Sequence, residues 1–129
     1  MPEKKKIGQR RTHQREILGD IIKQSNGPLS VNEIHSKAEL EGHKIGIATV
    51  YRTIKLLLES NIIQPVTLPD GQARYEASHL GHHHHFHCSA CGTVIDIDKC
   101  CMHLHDNEVE GHLIENHEIT LFGICKNCR

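Results

Sequence analysis

Twelve consecutive residues, Gly81 to Gly92 (GHHHHFHCSACG), hold five histidines and two cysteines. The cysteines form Cys88-x-x-Cys91. A second pair, Cys125-x-x-Cys128, follows after 33 intervening residues. Thiolates two residues apart can bite one Zn²⁺, and two such pairs fill a tetrahedral shell with no open position. This spacing predicts a structural zinc site whose binding contributes folding free energy directly. A redox CxxC is the rival reading, but it would not need the second pair.

The histidines need a different argument. A run of four identical residues could be a low-complexity loop or a tag remnant. If the run is an extended strand, alternate side chains point to opposite faces. His83 and His85 then share one face, and His82 and His84 share the other. They make two half-sites, each needing ligands from elsewhere. His87 shares the parity of His83 and His85 but sits beside the zinc pair, and no role follows for it. Catalysis is not expected. Catalytic zinc keeps an open position beside a general base. The chain has no HExxH and no deaminase H-x-E with P-C-x-x-C.

Elements must hold these groups in place. "TVIDID" and "EITLFGIC" read as strands. "CCMHLHDNEVEGHLIENH" between them reads as a weakly patterned helix with Gly111 inside it. Its Cys100 and Cys101 lie outside both CxxC pairs; they could be inert, reactive or additional ligands, with inert the safer expectation. Upstream, Ile17, Leu18, Ile21 and Ile22 recur at helical spacing, with Thr12 as the expected cap and Asn26-Gly27-Pro28 as the stop. Ser30 and Glu33 form a capping box for a second helix, with Ile34 and Ala38 facing inward. A third helix, IATVYRTIKLLLESN, carries an apolar stripe of Ile47, Val50, Ile54, Leu57 and Leu58. Two strand-like runs around Pro69-Asp70-Gly71 complete a winged helix-turn-helix.

In that motif the third helix reads the major groove. Thr49, Tyr51, Arg52 and Lys55 on its polar face can reach phosphates or base edges. Lys4 to Lys6, Arg10, Arg11 and Arg15 can follow phosphates or enter the minor groove. A plain three-helix packing module is the bland alternative.

Charge and ligand content divide the chain at the same place. Residues 1–75 hold 12 Lys/Arg against 8 Asp/Glu, and residues 76–129 hold 3 against 8. All six cysteines and ten of the thirteen histidines lie in the second part. Two modules with different partners are expected. Cysteine usage fits a reducing compartment and metal binding. The charged start, MPEKKKIGQRR, lacks the apolar segment of a signal peptide, and no apolar run approaches a bilayer span. A soluble, cytoplasmic protein without membrane contact is expected.

The chain resembles the ferric uptake regulator family of metal-dependent bacterial repressors over nearly its whole length. The resemblance is carried by IATVYRTIKLL, RYE, HHHHFHCSACG with VIDID, and the terminal CKNC. It implies an α+β chain: a winged-helix DNA-binding domain (1–76), a hinge (77–81) and a small α/β dimerisation domain with antiparallel strands (82–129). It implies a homodimer on palindromic double-stranded operator DNA. Cys88, Cys91, Cys125 and Cys128 look like the structural zinc ligands. Glu76, His83, His85 and Asp96 look like the sensing site. His82, His84, His103 and His117 look like a second site, with Glu108 as the rival to His103. Tyr51 and Arg52 match the family's DNA-contacting pair.

The chain departs from the family pattern at several places, two of them at the sensing site. Pro28 stands where iron and peroxide sensors usually have a module-bridging histidine. Ser78 stands near where zinc sensors often have a cysteine; His79, His35 and His43 are substitutes of equal standing. The expected regulatory ion is Zn²⁺ or Fe²⁺, with Mn²⁺ a third candidate. A peroxide-sensing repressor and a zinc store or chaperone without DNA binding are the alternative functions.

Overall fold

The computed structural model describes residues 7–100 and 105–129. The chain forms two compact units that divide between His79 and Leu80.

The first unit begins with three helices, α1 (Ile7–Gln24), α2 (Val31–Leu40) and α3 (Ile47–Glu59). Their apolar faces meet in one core: Leu18, Ile21 and Ile22 of α1, Ile34 and Ala38 of α2, and Val50, Ile54 and Leu57 of α3 are buried. Ile17, Leu58 and Tyr75 pack at its margin. Apolar residues three and four apart make such a face, and its burial drives the helices together.

The capping box at α2 is complete. The Glu33 N–H donates to Ser30 Oγ (3.2 Å), and the Ser30 N–H donates to Glu33 Oε1 (3.1 Å). Two sequence expectations fail here. Thr12 lies inside α1, because the helix already runs from Ile7. Ile47 is 40% exposed, because as the first residue of α3 it projects past the end of the core.

A hairpin of β1 (Ile63–Thr67) and β2 (Ala73–Ala77) follows as the wing. Gly71 takes a positive φ of 76°, which a residue with no Cβ adopts without strain, and its N–H donates to Leu68 O. The buried Arg74 closes the wing by a fork onto Asp70, at 3.0 and 2.9 Å. Two backbone bonds between Leu29 and Tyr75 clamp β2 to the segment before α2.

The second unit is built on a mixed sheet in which β3 (His84–Cys88) is central. It pairs antiparallel with β4 (Val94–Ile97) and, later in the chain, parallel with the last strand. The expected helix between the outer strands is not found over residues 108–117. Instead β5 (Glu108–Val109) and β6 (His112–Leu113) form a small hairpin, and β7 (Thr120–Gly123) is the last strand. The loop of that hairpin is Glu110-Gly111, with φ of 50° and 83°. Two successive positive φ values are the signature of a tight hairpin turn whose twist suits the flanking strands. Asp106 and Asn107 also have positive φ, which no α-helix allows. Among the described residues this unit contains no α-helix. No helix of the described residues is long and apolar enough to cross a membrane.

Candidate metal centres and nucleic-acid interface

The histidines alternate in side as the chain enters β3, with His82 and His83 just before the strand and His84 and His85 on it. His83 and His85 meet edge to face with ring centroids 5.0 Å apart, and His82 and His84 do so separately at 4.5 Å. The strand then ends at Cys88, the first residue of the cysteine cluster.

The four sulfurs of Cys88, Cys91, Cys125 and Cys128 converge, every pair lying within 4.8 Å. Cys91 Sγ and Cys125 Sγ are 3.9 Å apart. Zinc–sulfur bonds of roughly 2.3 Å at tetrahedral angles put sulfurs about 3.8 Å apart, so the spacing fits Zn²⁺. Local backbone builds the cluster. Gly92, at φ 77°, donates its N–H to Cys88 O and turns the chain back. Ser89 donates its N–H and hydroxyl to Gly123 O, which holds β7 beside the turn and presents Cys125.

The N–H groups of Cys125 and Cys91 donate to Cys88 Sγ and push its thiol down to about 6. Cys128, crowded by Cys125 and then Cys91, is pushed up to about 12. Four thiolates this close can ionise together only around a cation.

On the first histidine face, Asp96 is the cross-strand partner of His85, so both side chains leave the sheet on the same side. Asp96 Oδ1 lies 3.4 Å from His85 Nε2 and 4.0 Å from His83 Nε2. The Nδ1–H of His83 donates to Gly81 O at 2.8 Å, which leaves Nε2 to face the carboxylate. A ligating imidazole is commonly oriented by such an outer bond. Two imidazoles and a carboxylate suit Fe²⁺, Mn²⁺ or Zn²⁺.

Glu76 belongs to the first unit. It is buried on β2 opposite Gln64, whose Nε2 donates to its carboxylate at 2.8 Å. His35 instead pairs with Glu39 on its own helix, at 3.5 Å. His35, His43 and His79 join no cluster of donor atoms among the described residues. Pro28 is fully buried.

On the second histidine face, His82, His84 and His117 gather their rings within 5.1 Å of one another. The fourth donor beside them is Cys100, which the sequence left open as inert, reactive or an additional ligand. Its Sγ lies 3.3 Å from His84 Nε2 and 3.4 Å from His117 Nε2. Glu108 sits exposed on the β5–β6 hairpin and is not in the cluster. His103 lies outside the described residues.

The Ile119 N–H donates to His84 Nδ1 at 3.2 Å and pins the ring. In the neutral ring that bond leaves the proton on Nε2, facing the sulfur. To hold a metal through Nε2, His84 would carry its proton on Nδ1 instead and would give up the Ile119 bond. His84 is buried, and burial first, then the neighbouring His82 and His117, hold its pKa below 6.5.

In the first unit, Arg10, Arg11 and Arg15 of α1 face Thr49 and Arg52 of α3 across a groove of about 560 Å³. Gln14, Thr53 and Leu56 complete its lining, and no acidic residue enters it. Arg52 donates to Thr49 Oγ1 at 3.1 Å, which steadies the guanidinium at the rim. Tyr51, 58% exposed, and Lys55 lie on the outer surface of α3 rather than in the groove. A cationic groove bordered by an exposed helix is a suitable seat for phosphates.

The chain is similar to known proteins over nearly its whole length. The profile of the "Ferric uptake regulator family" matches residues 6–122. A ferric uptake regulation protein of Bordetella parapertussis is 30% identical over 131 residues, covering 98% of this chain and 94% of that one. A zinc uptake regulation protein of Mycobacterium tuberculosis is 30% identical over 132 residues, covering 95% and 96%. The solved structure of the Helicobacter pylori ferric uptake regulator, described as having three functional metal binding sites, superposes with a TM-score of 0.63. It is 28% identical, with coverage of 95% of this chain and 86% of that one. The match extends through both units, so the chain belongs to the ferric uptake regulator family.

Proposed function

We propose that this chain carries out the family's metal-responsive transcriptional regulation by using one ion to set the angle between its two units. The observation that carries the reading is the convergence of His83, His85 and Asp96 just past the boundary between the units. Residues 77–81 act as the hinge between the DNA-binding domain (1–76) and the dimerisation domain (82–129). Glu76, on the far side of that hinge, supplies the remaining ligand. An ion bound from both sides favours one domain angle through its differential affinity for that state.

In a homodimer the domain angle sets the separation of two α3 helices, which must match half-sites about one helical turn apart on a palindromic operator. Arg52 and Thr49 sit at the DNA, with Tyr51 and Lys55 beside them, and Arg10, Arg11 and Arg15 hold the phosphates. The cysteine cluster holds structural Zn²⁺. The regulatory ion is Zn²⁺ or Fe²⁺, the ions of the zinc and ferric uptake regulators it is similar to. The chain works in the cytoplasm as a repressor and catalyses nothing.

A peroxide-responsive regulator is the second reading. It is favoured by the two-histidine, carboxylate face, which is hospitable to Fe²⁺.

The test is selection of DNA from random duplexes, then anisotropy titrations with and without Zn²⁺ or Fe²⁺. Metal should tighten binding by more than tenfold. Arg52→Ala should weaken it by roughly 1–3 kcal/mol with zinc content unchanged. Equal affinity with and without metal would sink the proposal. Oxygen added to a ligand histidine by peroxide, with loss of DNA binding, would select the second reading.

A further inference from the structure

We propose that His82, His84, Cys100 and His117 hold one divalent ion through three imidazole nitrogens and a thiolate, with Cys100 as the fourth ligand in place of His103 or Glu108. The distances carry it. Bonds of about 2.0 Å to nitrogen and 2.3 Å to sulfur at tetrahedral angles place sulfur about 3.5 Å from each nitrogen. Cys100 Sγ lies 3.3 and 3.4 Å from two of them, and all four donor atoms fall within 4.8 Å of one another.

The fold explains why Cys100 arrives there. His84 is the cross-strand partner of Ile97, the last residue of β4. Three residues beyond Ile97 the chain has turned back over that same face. His117 reaches it from the segment leading into β7, with its Nε2 3.4 Å from Cys100 Sγ. Glu108, the carboxylate alternative, projects from an exposed hairpin instead.

The thiolate changes which ion the site takes. The opposite face of β3 offers two imidazoles and a carboxylate. The Cys100 face offers three imidazoles and a sulfur, a softer set that favours Zn²⁺ or Co²⁺ over Fe²⁺ and Mn²⁺. One strand therefore presents two sites of different metal preference, back to back. The inference stands on the cluster alone, so failure of the operator experiment leaves it standing.

The test is a Co²⁺ titration of full-length protein whose cysteine cluster is already filled with zinc. Zinc content is measured before and after, so cobalt replacing zinc in the cluster is detected. With one equivalent of zinc retained throughout, a thiolate-to-cobalt charge-transfer band should grow with the d–d bands. Cys100→Ser should abolish the charge-transfer band. Its Co²⁺ affinity at this site should fall further than the roughly 10–100-fold that loss of an outer-shell partner costs. His103→Ala, Glu108→Gln and Cys101→Ser should each keep the band.

Should Cys100→Ser lose zinc as well, His117→Ala is the second variant. It leaves every sulfur in place and should weaken cobalt binding with the band's parent thiolate intact. A wild-type protein without the band, a band that survives in Cys100→Ser, or one lost in His103→Ala would each overturn the assignment. So would unchanged cobalt binding in His117→Ala.

Discussion

The first unit is built on an apolar core and the second around clusters of donor side chains. Twelve buried apolar residues make one continuous core in the first unit. In the second, the buried residues among those described are Cys88, Val94, Cys125 and His84. Three of those four belong to donor clusters. A small region that buries so little apolar surface within one chain depends on a metal, another cross-link or a partner chain for its fold. On the function proposed above, a metal is structural material for the second unit and, for the first, a signal received through the hinge.

The comparison can be broken most directly by chelation. Structural zinc contributes on the order of 10 kcal/mol or more to folding in small zinc modules. Removing it, or making Cys88→Ser, should collapse the amide resonances of the second unit and leave those of α1 to α3 in place. Simultaneous melting of both units would refute the division of forces. The reverse experiment is smaller. Ile34→Ala cuts a fully buried side chain from the apolar core and should cost the first unit roughly 2–5 kcal/mol in denaturant unfolding. Zinc content should not change.

The smallest effect is on pH. Burial and neighbouring histidines depress the pKa of His84 below its ordinary 6.5. The unfolded chain then binds the extra proton first. Stability of the second unit is full above pH 6.5 and is lost as pH falls from there toward the lowered native value. The first unit has no buried histidine. Hydrogen exchange at one equivalent of zinc, followed from neutral to mildly acid pH, should loosen β3 and β7 before α2. Equal loosening would blur the contrast.

The sequence made some of this legible and hid the rest for physical reasons. Helix stripes, the Ser30–Glu33 box and the Asp70-Gly71 turn are local signals, and the structure has them where the spacing puts them. So is strand parity, which separates His83 and His85 from His82 and His84. The β5–β6 hairpin was visible only in Gly111, a residue that a helix tolerates poorly but a tight turn favours. Cys100 was hidden by a different fact. Its role depends on β4 ending opposite His84, and strand register is a tertiary property that no window of the sequence displays. Thr12 failed because α1 begins earlier, at Ile7, and Ile47 because it is the first residue of α3; local pattern places ends poorly.

The histidine run also has a genetic consequence. Counted back from Cys88, each position in the run has a fixed face. Because all four residues are the same, inserting a fifth histidine leaves every face supplied. What changes is the connection to β2, longer by about 3.3 Å if extended. Deleting one histidine instead draws Gly81 into the place of His82. A repeat that gains a unit would thus retune the reach of the hinge while sparing the metal sites, and one that loses a unit would disarm a site.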